Sequence, residues 1–381
     1  MNLIWKGSVL GALILSGVIV SCKKNNDTQP GGSNPSTFED QRPAMLANMG
    51  NNIILPHYQL LNKAVNSLDS AVIAFNSNPD SANLSHLQSI FKDAYLKWQS
   101  CSAIDFGPAT PVNLSVSMNT FPVDTTKINA NIQSSTAPNL AAISNLDAKG
   151  FPGLDFLLFG TGSTASSILS KYTTDSNAAG RKTYLAAISA DIKTQINTVV
   201  TAWLPSGGNY IQTFVSAAGT DQGSSVGLLI NAMDADYEVL KNYKIGIPLG
   251  KFTMGVQYPE KVESYYSQVS VQLALAQLTN IQSIYLGKSG QGDGLGLDDY
   301  LEQVNTPQYN GSSLNTSIKN QFSLTISKLQ ALADPLSSTI QNNPAAVDAA
   351  YVEIQKLLVL LKTDMPSALG ILITYGDNDG D

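Results

Sequence analysis

Long windows of this chain carry apolar residues at helical spacing, and the two-residue alternation of a half-buried strand is scarce. Across residues 55–75, Leu60, Leu61, Ala64, Val65, Leu68, Val72 and Phe75 form one helical stripe. A second helix opens at Asp80 or Ser81, either of which suits an N-cap. It carries Leu84, Leu87, Phe91, Tyr95 and Trp98 near one face. Residues 176–203, 224–243, 260–286, 314–333 and 345–363 read the same way, each bounded by Gly, Pro, Asn or Ser-rich breaks. Residues 110–126 are the one irregular, extended-looking stretch of note. The expected fold class is all-α, built from long antiparallel helices joined by loops.

Roughly 340 ordered residues exceed one ordinary core, so two domains are expected. A faint echo along the chain supports this. Gly153-Leu154-Asp155 recurs as Gly296-Leu297-Asp298, 143 positions later. The stretch from Asp93 to Trp98 precedes Gly107-Pro108, as the stretch from Asp236 to Tyr243 precedes Gly246 and Pro248. The expectation is two related helical bundles from an internal duplication, residues 39–204 and 205–381.

The N-terminus reads as an address. Lys6 precedes an apolar run over residues 9–20, followed by Ser21-Cys22. That is the layout of a secretory signal over residues 1–21, with Cys22 placed as the acylated first residue of a bacterial lipoprotein. The competing reading, a membrane-spanning anchor, is opposed by an uninterrupted run shorter than roughly 18 residues. Residues 22–38, rich in Gly, Pro, Ser and Asn, read as a flexible tether. The expected location is the cell envelope, lipid-anchored to a membrane (the outer membrane before the inner) and facing periplasm or cell surface. With Cys22 acylated, Cys101 is alone, which leaves no intramolecular disulfide and suggests a small buried apolar residue. Without Lys6, 21 basic residues face 29 acidic ones, a balance that argues against nucleic acid as a partner.

Motifs for chemistry are sparse. The two histidines, His57 and His86, both fall in expected helices, and neither has a His or Cys at metal-ligand spacing. No H-E-x-x-H, G-x-S-x-G or P-loop occurs. Asp377, Asp379 and Asp381 have the alternating spacing of a Ca²⁺ loop but lack its later bidentate acid, which leaves an acidic tail as the preferred reading. Four features point to a site: Asp105 before Phe106-Gly107-Pro108, Asp155 within residues 150–160, Glu238 ahead of Gly246 and Pro248, and Glu263 with Ser267. The last two are expected to share a helix face at i, i+4. If the halves pack together, these Gly/Pro-broken loops could line a common crevice, since pockets concentrate at domain junctions. For Asp155 and Asp298 the alternative is a buried acid that satisfies backbone N–H groups at a helix start.

Residues scattered over the chain carry a wider likeness. They include Ala94-Tyr95-Leu96-Lys97-Trp98, Phe106-Gly107-Pro108, residues 150–160, residues 244–250, residues 262–267, residues 294–300 and residues 361–370. In these stretches and their order the chain resembles the imelysin family, in its Bacteroidetes-type lipoprotein form. The resemblance implies two helical bundles with a pocket at their junction, and an envelope role associated with iron uptake. The family motif is G-x-H-x-x-E, in which His and Glu share a helix face and can hold a metal. Laid on this chain, Gly150 matches, Pro152 stands where the His would be, and Asp155 stands where the Glu would be. Proline suits a helix's first turn but has no ligand atom. The expectation is a non-catalytic binding lipoprotein whose ligand is iron-related or a small polar molecule, with Asp155, Asp105 and Glu263 facing the pocket. Iron or zinc remains a conceivable cofactor that the histidine content does not support. Two alternatives are carried with it: a metal-dependent peptidase, and a structural lipoprotein with no small ligand.

Overall fold

A computed structural model describes residues 38–134, 138–304 and 311–374; Cys22, the expected tether and the acidic end with Asp377, Asp379 and Asp381 lie outside the described residues. The all-α expectation holds. Helices α1 Phe38–Asn48, α2 Leu55–Ser77, α3 Ser81–Gln99, α4 Leu114–Asn119 and α5 Thr125–Gln133 are followed by α6 Gly150–Asp155, α7 Ala165–Thr173, α8 Ala178–Trp203 and α9 Tyr210–Ser216. Then come α10 Ser225–Glu238, α11 Ile247–Leu249, α12 Ser270–Tyr285, α13 Leu297–Gln303, α14 Leu314–Gln330, α15 Leu336–Asn342, α16 Pro344–Val359 and α17 Met365–Leu369. Two-residue strands Lys288–Ser289 and Gly292–Asp293 form one small antiparallel pair.

The long helices form where the apolar stripes fall. In α2, Leu61, Val65, Leu68, Val72 and Phe75 are buried, and this face packs against both α3 and α8. Asp80 caps α3 by accepting the Asn83 N–H at 2.8 Å. Later in the chain α14 packs against α16, and α12 lies against both α3 and α14. The described residues make one compact unit, so the two expected halves share a core through α12 and α3. Aromatic rings fill the first part of that core. Tyr95 stacks on Phe151 with centroids 4.8 Å apart, and Phe91 and Trp98 flank the same ring. Cys101 is buried, and burial pushes its thiol pKa up.

Four π-helical segments interrupt the α-helices: Met49–Ile54, Phe156–Gly160, Val239–Gly246 and Leu360–Asp364. Three of them end two residues before a proline, at Pro56, Pro248 and Pro366. A proline inside a helix lacks its N–H and presses its ring on the carbonyl four residues back. The wider π turn ahead of each proline relieves that pressure and lets the chain continue helically. The stripes read over 224–243 and 345–363 therefore run through a change of helix type.

Residues 260–269 depart from the expected helix. Only Pro259–Lys261 makes a 3₁₀ turn, and α12 begins at Ser270. Ser264 and Gln268 take left-handed backbone angles, φ 58° and 59°, which no α-helix tolerates. Glu263 and Ser267 thus belong to an irregular loop and not to one helix face. Residues 110–126 are also more regular than expected, with a 3₁₀ turn at Gly107–Val112 and then α4.

Candidate functional site

Asp155 explains the loop 263–268. Its Oδ2 accepts the Tyr266 N–H at 3.0 Å and its Oδ1 accepts the Ser267 N–H at 2.9 Å. The Ser264 and Ser267 hydroxyls meet at 2.5 Å, and the Ser270 hydroxyl donates to the Glu263 carbonyl. One buried carboxylate thus gathers amides that no helix pairs. Asp155 also lines a small cleft of about 180 Å³ with Pro152, Val262 and Tyr265. Burial pushes its pKa up to about 6, against the pull of its hydrogen bonds.

That loop places Glu263 at the centre of a second, larger network. The Lys244 ammonium, carried by the π segment after α10, stands 2.7 Å from Glu263 Oε2, and both side chains are within 2% of full burial. Lys244 also donates to Gln99 Oε1 at 2.7 Å, at the end of α3. Glu263 Oε1 accepts from Gln99 Nε2 at 3.0 Å and from Asn119 Nδ2 at 2.7 Å, and the Tyr95 hydroxyl donates to Asn119 Oδ1. Two early elements, α3 through Tyr95 and Gln99 and α4 through Asn119, are thereby tied to two late ones.

Beside this network a cleft of about 410 Å³ opens between α3–α4 and α10. Its lining includes Trp98, Ser102, Asp105, Asn119 and Asp236. Ser102 donates its hydroxyl to Asp236 Oδ2 at 3.1 Å. Burial pushes Asp236 up to about 6, with Lys244 opposing and Glu263 adding to the shift. Asp105 is an exposed residue whose carboxyl is partly enclosed by the cleft; that enclosure raises its pKa and hydrogen bonds from Ser115 oppose the rise.

The structure brings Asp105 to the larger cleft and Glu263 to the network behind it, with Asp155 and Ser267 on the far side of the same loop. It does not bring Glu238 or Asp298 to either cleft. Glu238 pairs with Lys362 at 2.5 Å, and Asp298 pairs with Lys319 at 2.7 Å. The echoed Gly-Leu-Asp stretches sit differently: the first closes α6, where Asp155 holds loop amides, and the second opens α13, whose entrance uses Asp299, its Oδ2 accepting the Gly296 N–H. Trp98 packs on Phe151 and lines the cleft. Gly107, at φ +57°, turns the chain against the Tyr210 ring, with Pro108 in the following 3₁₀ turn. Gly153 packs its bare Cα between Ile188 and Ala148. Sequence reading passed over Gln99, Asn119, Ser102, Asp236 and Lys244. Their one signal was polarity within otherwise apolar windows.

The residues at the family's metal position do not fit a metal. Pro152 offers no donor, and both oxygens of Asp155 are held by backbone amides. Among the described residues no group of three His, Cys, Asp or Glu is placed to hold an ion. His57 is half-buried with a lowered pKa, chiefly from burial, and His86 lies apart in a groove between α2 and α3.

These buried acids give stability an unusual pH dependence. Asp155 and Asp236 bind protons more tightly folded, at about 6, than unfolded, at about 3.9. Between those values the folded state carries more protons, so stability falls as pH rises, by roughly 2–3 kcal/mol per group. Asp234, buried without a partner and raised further, acts in the same direction. His57, whose folded pKa is lowered, opposes them as pH falls through its unfolded value near 6.5. The melting temperature is expected to rise from pH 7.5 to pH 5, and the rise to shrink in Asp236→Asn. A flat profile in calorimetry would contradict the burial of these acids.

The fold and site define an all-helical protein in which early and late helices share one buried polar network beside a cleft. The imelysin family model matches residues 54–363, and the chain belongs to the imelysin family. It is 22% identical over 298 residues to the iron-regulated protein A of Synechococcus elongatus, across 76% of this chain and 75% of that protein. Two solved structures share the fold. One is of a candidate iron-regulated protein A precursor from Parabacteroides distasonis, with TM-score 0.69 and 19% identity over 89% of this chain and 98% of that one. The other is of an imelysin-like protein from Psychrobacter arcticum, with TM-score 0.66 and 16% identity over 88% and 98%.

Proposed function

We propose that this chain is a non-catalytic binding protein of the cell envelope, anchored through lipid on Cys22, that holds its ligand in the cleft between α3–α4 and α10. The observation that carries this reading is the cleft of about 410 Å³, lined from both parts of the chain and backed by the buried Lys244–Glu263 pair. Its size falls in the ordinary range for small-molecule sites. An association with iron uptake is supported by the names of the relatives, iron-regulated protein A among them. The lipid anchor is supported by the Ser21-Cys22 pattern, and no described helix is long and apolar enough to cross a membrane. The non-catalytic role is supported by the donor set, since a catalytic zinc needs three protein ligands with an open position.

Equilibrium dialysis against Fe²⁺ and Zn²⁺, and a casein assay with and without chelator, test the donor argument. Neither stoichiometric metal nor chelator-sensitive proteolysis is expected. Metal binding lost in Asp155→Ala, or proteolysis lost with chelator, would restore the metallopeptidase reading. A thermal-shift screen tests the cleft. A ligand at 100 times its Kd adds about 2.7 kcal/mol to folded stability. That gain is expected to vanish in Ala232→Trp, which fills the cleft from α10.

A further inference from the structure

We propose that the cleft takes a small organic cation: a protonated amine on an apolar body that also carries a hydroxyl or carbonyl oxygen. This rests on the binding reading above and names the ligand's class. The charge argument comes first. Asp236 and Asp105 both line the cleft, and no Lys, Arg or His lines it among the described residues. The nearest cation, Lys244, is already held by Glu263 and Gln99, so it does not neutralise the two acids. An amine entering the cleft meets uncompensated negative charge in a partly desolvated setting, where such attraction is strongest.

The walls specify the rest of the molecule. Trp98, Phe106, Val116, Leu228 and Val239 make the lining largely apolar, which favours a ring or short hydrocarbon. Trp98 adds a separate observation. It is 1% exposed, and its indole N–H has no acceptor in the protein. A buried N–H without an acceptor is costly. A ligand oxygen beside the apolar body would satisfy it. A bare metal ion fits poorly, because it would leave the apolar walls and the indole N–H without a partner.

Three isosteric probes separate the possibilities: tyramine, with an ammonium group; tyrosol, with a neutral hydroxyl in its place; and 4-hydroxyphenylacetate, with a carboxylate. Calorimetric titration of the full chain at pH 7.5 is expected to show tyramine binding at least about tenfold more tightly than tyrosol, with no carboxylate binding. Asp236→Asn is expected to weaken tyramine about 10- to 100-fold at a melting temperature no lower than that of the unmodified protein, since it removes a buried charge. If that variant fails to fold, the unmodified protein decides. Tyramine affinity should fall from pH 7.5 to pH 5 as the Asp236 carboxylate beside Ser102 gains its proton, and Asp105, also raised by burial, acts in the same direction. An affinity constant over that range overturns the role of Asp236. Tyrosol or the carboxylate binding as tightly as tyramine overturns the cation class and leaves the binding cleft standing. Failure of all three probes, together with failure of the thermal-shift screen, overturns the cleft itself.

Discussion

Glu263→Gln is expected to lower the unfolding free energy by about 3–5 kcal/mol, the range for breaking one side of a buried ion pair. The mechanism is specific. Lys244 keeps its charge but loses its counter-ion in a site almost closed to solvent. The Gln99 and Asn119 amides, which both donate to Glu263 Oε1, then face a side chain half of which is itself a donor. The double variant Lys244→Met, Glu263→Leu removes both charges and is expected to recover most of the loss, because a buried pair contributes little net stability over apolar residues of similar size. Urea denaturation at pH 7.5 measures both. A loss under about 1 kcal/mol for the single variant would show that the pair is hydrated in solution. The single variant also reaches the cleft. Freed of Glu263, Lys244 is left with Asp236 as its nearest acid, and the Asp236 pKa should fall.

The helices were legible because their cause is local. The α2, α3, α8, α14 and α16 stripes follow from side chains three and four apart, and Asp80 announces the α3 start. The loop over 260–269 was not legible as a loop. Its spacing passes for a helix, and what undoes the helix is Asp155, more than a hundred positions away. The site divides the same way. Asp105 and Asp155 stood out because an acid near Gly and Pro is conspicuous in an apolar stretch, and Glu263 through an expected helical pairing with Ser267 that the loop does not form. Lys244, Gln99, Asn119 and Asp236 gain their roles from partners as far as 164 positions away. Asp155 had two readings, a pocket ligand or a buried acid that satisfies N–H groups at a helix start. It serves backbone amides, but those of the 263–268 loop, and it stands at the edge of a small cleft.

Gly150→Ala is expected to cost about 2–5 kcal/mol, the sum of a left-handed backbone penalty of roughly 1–2 kcal/mol and overpacking of roughly 1–3 kcal/mol. Gly150 opens α6 at φ +67°, and a Cβ there would run into the Met118 carbonyl and the Ser117 carbonyl of α4. Both obstacles are backbone, so no side-chain rotation relieves them. The neighbouring Gly153→Ala is the control. Gly153 is helical, its added Cβ would meet Ile188 Cδ1 at 3.2 Å and the Ala148 carbonyl at 3.3 Å, and alanine gains about 1 kcal/mol of helix propensity. Its net effect should be small. The two variants separate backbone conformation from mere crowding at the same entrance. Gly150→Ala should also damage binding, because displacing α4 moves Asn119 away from Glu263 and shifts Val116 and Thr120 in the cleft wall. Thermal denaturation and tyramine titration would then fail together in Gly150→Ala and survive together in Gly153→Ala. If both variants kept wild-type stability, the close approach of α6 to α4 would not exist in solution. The family's glycine would then owe its place to something other than this turn. If Gly150→Ala lost stability alone and kept binding, the cleft would not depend on where α4 sits.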